Sequence, residues 1–234
     1  MDVNELVLTQ GLRDTRGALE RWNADPWPTL RGWFGGALIV AVGLLTAVWV
    51  VATLSVPDVT PLEIPGLTEQ ADIAHVGSIL LRNSLVLALH ATACIAGFIA
   101  GSSLVLSAEH RSGLSRIVHE RARPIALGWV VLVTGFSLVT QSYALGLTGG
   151  QIAYQLDVSP LVLVLTVVPH AIPDLVALFL PLAAWTIASR RDQWEDLLAA
   201  TFITVALAIP ILVASALWET YVWPHLLREV SSYF

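Results

Sequence analysis

Residues 167–185 read VVPHAIPDLVALFLPLAAW. Apart from His170 and Asp174 the stretch carries no ionisable side chain, and it lies within an apolar run over 159–189. A helix needs about 20 apolar residues to cross a hydrocarbon core of about 30 Å, so this run reads as a membrane span. Four further runs have the required length and polarity: 33–56, 78–106, 124–147 and 197–218. Composition points the same way: 56% of the 234 residues are apolar and only 13% charged, against about a quarter charged in an ordinary soluble domain. The expected fold class is all-α, a polytopic membrane helix bundle of about five transmembrane helices with an N-terminal interfacial segment. The expected segmentation is 1–32 cytoplasmic and interfacial, 33–223 a single transmembrane helical domain, and 224–234 a short external tail.

Within the opening stretch, Pro169 and Pro173 each remove a backbone donor and crowd the preceding turn. The fourth span is therefore expected to break near its Pro-His-x-x-Pro-Asp run, between Val168 and Asp174, with His170 facing the bundle interior. Non-helical backbone at membrane depth survives only when buried in protein or lining a wet cavity, so the break would mark a site. A proline kink with a purely structural role is the competing reading. The runs at 78–106 and 159–189 are longer than a span requires, which suits tilted or broken helices.

The chain has twelve arginines, no lysine and a net charge of −6, a balance that excludes a nucleic-acid binder with a basic face. Its one cysteine, Cys94, cannot form an internal disulfide. The acidic, polar opening MDVNE is not that of a cleavable signal peptide. Arginines at 13, 16, 21 and 31, at 111, 116, 121 and 123, and at 190 and 191 lie on one side of the five spans. Only Arg228 lies on the other. By the positive-inside rule the N-terminus is cytoplasmic and the C-terminus external. Trp22, Trp27, Trp33 and Phe34 among the first arginines suit an interfacial segment, with a partly disordered tail as the alternative. Leu114, Ile117 and Val118 at helical spacing suggest a short interfacial helix in 107–123, and Pro57, Pro61 and Pro65 an irregular external loop over 57–77.

Ionisable residues inside spans are expensive and usually face a bundle interior or a cavity. Here they form one candidate intramembrane polar cluster: Arg82, Asn83, His90, Gln141, His170, Asp174 and Glu219. At 100° per residue, Asn83, His90, Cys94, Gly97 and Gly101 share a face, and Ala93, Gly97 and Gly101 form a small-residue ladder for close helix packing. Thr134, Ser137 and Gln141 share another face, and Thr204, Ala208, Ser215 and Glu219 a third. His170 and Asp174, four residues apart, are neighbours on any continuous helix. Arg82 and Glu219, at matching external depth, are expected to pair. No phosphate loop, nucleophile elbow or zinc-binding helix motif occurs. Catalytic residues, metal ligands and cofactors are accordingly not expected.

Three stretches resemble one family. Arg82-Asn83 opening a span resembles the start of the membrane region in stage II sporulation protein M relatives. PHAIPDL at 169–175 is similar to that family's Pro-His-Gly-x-x-Glu-Leu segment, with Ala171 in place of Gly and Asp174 in place of Glu. ASALWETYVWP at 214–224 is similar to its closing signature of small residues, Glu and Pro. The resemblance, over roughly residues 30 to 225, implies a multi-pass cytoplasmic-membrane protein of bacteria or archaea. The founding member anchors a cell-wall-degrading complex during spore engulfment, so the resemblance implies an anchoring role.

Three functions fit the pattern. A non-catalytic membrane scaffold or anchor for partner proteins of the cell envelope needs no nucleophile and agrees with the resemblance. A transporter or channel component would use the broken fourth span and the outer-half polar cluster. An intramembrane metallo-hydrolase would use His90, His170 and Asp174 or Glu219 as ligands. Expected partners are the lipid bilayer, membrane or envelope proteins and further copies of the chain in a homo-oligomer; nucleic acid is not expected. The arginine asymmetry generates a test of topology. Cysteines introduced at Glu63, Gln155 and Ser232 should react with an impermeant thiol reagent in intact cells, and one at Ser112 should stay protected. External labelling at Ser112 would overturn the orientation.

Overall fold

The computed structural model describes residues 3–99 and 114–232, and gives side chains for residues 11–99, 124 and 127–232. Apart from one isolated bridge between Pro65 and Glu69, the described residues hold no strand. The helices are α1 (Val3–Ala24), α2 (Trp27–Leu54), α3 (Ile73–Phe98), α4 (Leu114–Gln155), α5 (Pro160–Arg191), α6 (Leu197–Tyr221) and α7 (Trp223–Val230), with a 3₁₀ turn at Trp194–Asp196 before α6. Five of them, α2 to α6, are long and apolar enough to cross a membrane. The all-helical membrane-type fold expected from the sequence is thus the fold observed.

Local chemistry sets the helix ends. Ser159 begins α5: its hydroxyl accepts the Val162 N–H at 3.3 Å, and Pro160 fills the first helical position, where a missing N–H costs nothing. Helices α4 and α5 both end in the same way. Asp157 (φ 52°) and Asp192 (φ 55°) adopt the left-handed conformation, and the next residues, Val158 and Gln193, donate at 3.0 Å to the carbonyls of Ala153 and Ala188. That pattern closes the last turn with an αL residue, a place where Asp is tolerated because its short polar chain suits local hydrogen bonding.

The fourth span does not break. Residues Pro160–Arg191 form one α-helix through Pro169, Pro173 and Pro181, which corrects the expected interruption between Val168 and Asp174. Each proline deletes a single rung of the ladder, and because Pro169 and Pro173 are four residues apart the losses fall on one side. A full break would free many more backbone groups where no water can satisfy them, so the continuous helix costs less. Three boundaries also move. Residues 27–32 belong to α2 rather than to a separate segment. The helix of the third span begins at Leu114 and runs through Pro124 to Gln155, past the expected end at 147, so the 114–123 part of the expected short helix is its N-terminal portion, and 107–113 lie outside the described residues. Helix α3 starts at Ile73, with Asp72 accepting the His75 N–H at 3.0 Å.

Two compact units emerge. The first comprises Met1–Ala37, Leu87–Gly135 and Phe179–Leu207. Its core joins Cys94, Phe98, Ala188, Trp194 and Leu197. The Cys94 thiol donates to the Pro181 carbonyl at 3.1 Å, and Arg21 of α1 binds the largely buried Asp196 of the 3₁₀ turn. The second comprises Leu38–Val86, Phe136–Leu178 and Ala208–Phe234. Here the 55–72 connection is irregular, as its prolines imply, and it is held from several sides. Gln151 and Gln155 both donate to the Thr60 carbonyl, at 2.6 and 2.7 Å, and Arg228 of α7 donates to the Gly66 carbonyl at 2.7 Å. The Thr60 N–H and hydroxyl bind Asp58 and hold its carboxyl below the usual range. Gly66 adopts φ 78°, and a side chain there would meet the Pro224 ring at 2.7 Å. Ile64, Ala153, Leu156, Leu163 and Leu227 form the core beneath this cover.

Helix α5 is the most enclosed span and α4 the least: 39% of the most apolar 18-residue stretch is buried in the first and 17% in the second. Trp129, Leu132, Phe136, Val139 and Tyr143 of α4 are exposed, a surface consistent with contact with the apolar part of a bilayer. Ala93 and Gly97 pack inward as the small-residue ladder implies, and Gly101 lies outside the described residues. A Cβ on Gly97 would come within 2.8 Å of both the Trp185 indole nitrogen and Leu197. Gly97→Leu should therefore lower stability by about 1–3 kcal/mol through overpacking. Thermal unfolding in mild detergent measures it, and an unchanged midpoint would contradict the close approach.

Candidate functional site

The second unit brings four of the expected polar residues together from three helices. Asn83 of α3 donates its side-chain amide to Asp174 of α5 at 2.8 Å. Asp174 lies within electrostatic reach of Glu219 of α6, and Glu219 within reach of Arg82 of α3. Arg82 and Glu219 do not close into a direct ion pair; among the described residues those pairs are Arg16–Glu20, Arg21–Asp196, and His75 with Glu69 and with Asp72. Asn83, Asp174 and Glu219 are partly buried, whereas Arg82 is exposed. The phase of each helix explains the meeting. Val76 and Ile79 of α3 pack on Ala216 of α6, which turns the Arg82-Asn83 step and Glu219 toward a common region.

Charge balance defines what this arrangement can do. The group holds two carboxylates, Asp174 beside the neutral amide of Asn83 and Glu219 within reach of the one guanidinium, Arg82. With both acids ionised, one negative charge lacks a fixed counter-charge. In a medium of low polarity such a charge is expensive.

His170 lies on the same helix one turn before Asp174, 6% exposed, with its ring 5.7 Å from that of Trp223. Among the described residues it makes no hydrogen bond, and its Nδ1 is buried without a partner. The expected bond from His170 to Asp174 or Gln141 is therefore not formed. The imidazole instead lines a cavity of about 370 Å³ with Pro169, Pro173, Pro210, Ser215 and Trp218. Gln141 donates at 2.8 Å to Ser137 on its own helix, which keeps it out of the carboxylate group. His90 belongs to the first unit, where it is fully buried with its ring 5.2 Å from that of Phe179. Thr204, Ala208 and Ser215 are buried, so the stripe read on the fifth span does face inward. No group of three potential metal ligands forms among the described residues, which leaves the metallo-hydrolase reading without a geometric basis.

Sequence reasoning missed two partners. Trp223 flanks His170 and donates its indole N–H to Thr166 at 3.1 Å, and its place in the 214–224 stretch gave no sign of that contact. Asn83 is the residue that holds Asp174, and helical phase within one span carries no information about which neighbour it meets.

The Asn83–Asp174 bond can be measured directly. In a double-mutant cycle on detergent stability with Asn83→Ala and Asp174→Ala, the coupling should be about 0.6–2 kcal/mol, the range for side-chain hydrogen bonds within membrane bundles and to charged groups. Additivity within about 0.3 kcal/mol would remove the bond from the account. Set against protein-family models, characterised proteins and solved structures, the chain matches none of them.

Proposed function

We propose that this is an integral membrane protein that passes ions across the bilayer, in which Asp174 and Glu219 bind a proton or a monovalent cation. The observation that carries the reading is the charge count of the α3–α5–α6 group, two carboxylates against one arginine. Intramembrane ionisable residues usually mark ion and proton paths, and they are seldom retained for stability alone. On this reading Asn83 orients the Asp174 carboxylate, and Arg82 sets how strongly Glu219 holds a cation. The protein catalyses no covalent chemistry. The N-terminus is cytoplasmic and the C-terminus external, as the arginine asymmetry supports.

A second reading is a non-catalytic anchor for cell-envelope proteins and membership of the stage II sporulation protein M family. It is supported by the likeness at 82–83, 169–175 and 214–224, and by α7, whose apolar Leu227 is buried while His225 and Glu229 are exposed for a partner. The two readings differ in what Asp174 does. Reconstituted in proteoliposomes with an imposed potential, the protein should carry protons, Na⁺ or K⁺ faster than empty vesicles. Asp174→Asn together with Glu219→Gln should abolish that flux, and Thr140→Ala on the exposed side of α4 should leave it unchanged. Absence of flux for all three ions would overturn transport. Envelope proteins that copurify equally with wild type and with the double variant would then carry the anchor reading.

A further inference from the structure

In the first unit, two cavities meet at a shared wall. One is an apolar groove of about 680 Å³ between α1, α2 and α6, lined by Leu12, Leu19, Leu30, Trp33, Ile203 and Leu207. The other, of about 250 Å³, is polar: Arg21, Asp25, Arg191, Gln193 and Asp196 line it. Trp22, Thr29 and Trp33 border both, with the two indoles edge to face at 5.0 Å. A charged chamber opening past a tryptophan pair onto an apolar trough is the shape of an amphiphile. The larger volume falls in the range of about 300–1,000 Å³ common to small-molecule sites.

The charges select the headgroup. Arg21 is engaged by Asp196. Arg191 and Asp25 line the same chamber, and among the described residues neither makes a side-chain hydrogen bond or ion pair. One free cation and one free anion, held apart in a single small chamber, match a zwitterion better than a net anion. A guanidinium binds a phosphodiester through two parallel N–H donors, and a carboxylate accepts an ammonium. Position agrees with this. Arg191 ends α5, and Asp25 stands two residues before α2, so both lie where apolar spans give way to polar residues. That boundary is headgroup depth. The groove, by contrast, runs between α1, which also brings the Arg16–Glu20 ion pair to its edge, and apolar residues of the spans α2 and α6, Leu30, Trp33, Ile203 and Leu207.

We infer that the α1–α2–α6 groove and the adjoining Arg191–Asp25 chamber bind one glycerophospholipid with a phosphoethanolamine headgroup. Its phosphodiester lies on Arg191 with Gln193 beside it, its ammonium on Asp25, and one acyl chain in the groove past Trp22 and Trp33. This site is independent of the Asp174–Glu219 reading, which stands or falls on ion flux.

Native mass spectrometry of the full chain in mild detergent, titrated with dioleoyl phosphatidylethanolamine, tests it. One lipid should bind saturably, and more tightly than dioleoyl phosphatidylglycerol. Arg191→Gln should weaken both lipids about tenfold, as loss of a charge-assisted contact implies. Asp25→Asn should erase the preference for phosphatidylethanolamine while leaving phosphatidylglycerol binding in place. Leu19→Trp, which fills the trough, should weaken every diacyl lipid, and excess glycerophosphoethanolamine without acyl chains should not compete. Both charged residues are exposed, so their substitution leaves folding intact, and an unchanged unfolding midpoint confirms it. Unsaturable binding, equal affinity for the two headgroups in the wild type, displacement by the headgroup alone, or a second protein copy occupying the groove in place of lipid would each overturn the inference.

Discussion

The hydrogen bond from Asn83 to Asp174 joins α3 to α5, two helices long and apolar enough to cross a membrane, and inside a hydrocarbon core a carboxylate has little water to solvate it. In that medium a polar group without a partner costs several kcal/mol, and helices have little hydrophobic reason to prefer one another over lipid. Polar contacts and close packing must then specify which faces meet. Asn83 is short and holds its amide near the backbone, so it reaches Asp174 only if the two helices approach closely. The packing of Val76 and Ile79 on Ala216 places α6 against the same helix, and Glu219 follows from that placement.

The same constraint explains why α5 stays helical through three prolines. A soluble protein can open a turn to water at a Pro-x-x-x-Pro step, whereas in hydrocarbon each additional non-helical residue exposes another unsatisfied donor and acceptor. Retaining the helix keeps His170 and Asp174 one turn apart and points them at different neighbours, the imidazole at Trp223 and the carboxylate at Asn83. Outside the spans, where water and loop backbone are both available, side chains serve as staples: Gln151, Gln155 and Arg228 all donate to main-chain carbonyls of the 55–72 connection.

Much of this was legible in the sequence because length and polarity suffice to mark a span. All five spans, the inward stripe through Thr204, Ala208 and Ser215, and the close approach at Gly97 follow from spacing on a single helix. What spacing cannot carry is the identity of the neighbour. His170 and Asp174 share a face, yet each turns to a partner from another helix. Arg82 and Glu219 share a region without touching, since a long arginine can stay exposed and act at a distance. Proline was over-read as a break because its cost was weighed without the greater cost of unravelling in lipid. The Arg191–Asp25 chamber escaped notice because its residues are 166 positions apart, and the Arg190-Arg191 pair at a helix end looks like an ordinary positive-inside signal.

The central claim is that the carboxylates of Asp174 and Glu219 take up a proton or a monovalent cation to complete their charge balance. Infrared difference spectroscopy on the protein in lipid observes those groups directly. On exchanging buffer pH or the monovalent cation, a carboxyl or carboxylate band should shift, and the change should vanish in Asp174→Asn. A carboxyl spectrum that stays the same across pH and cation, or a change that survives unaltered in Asp174→Asn, would contradict the account.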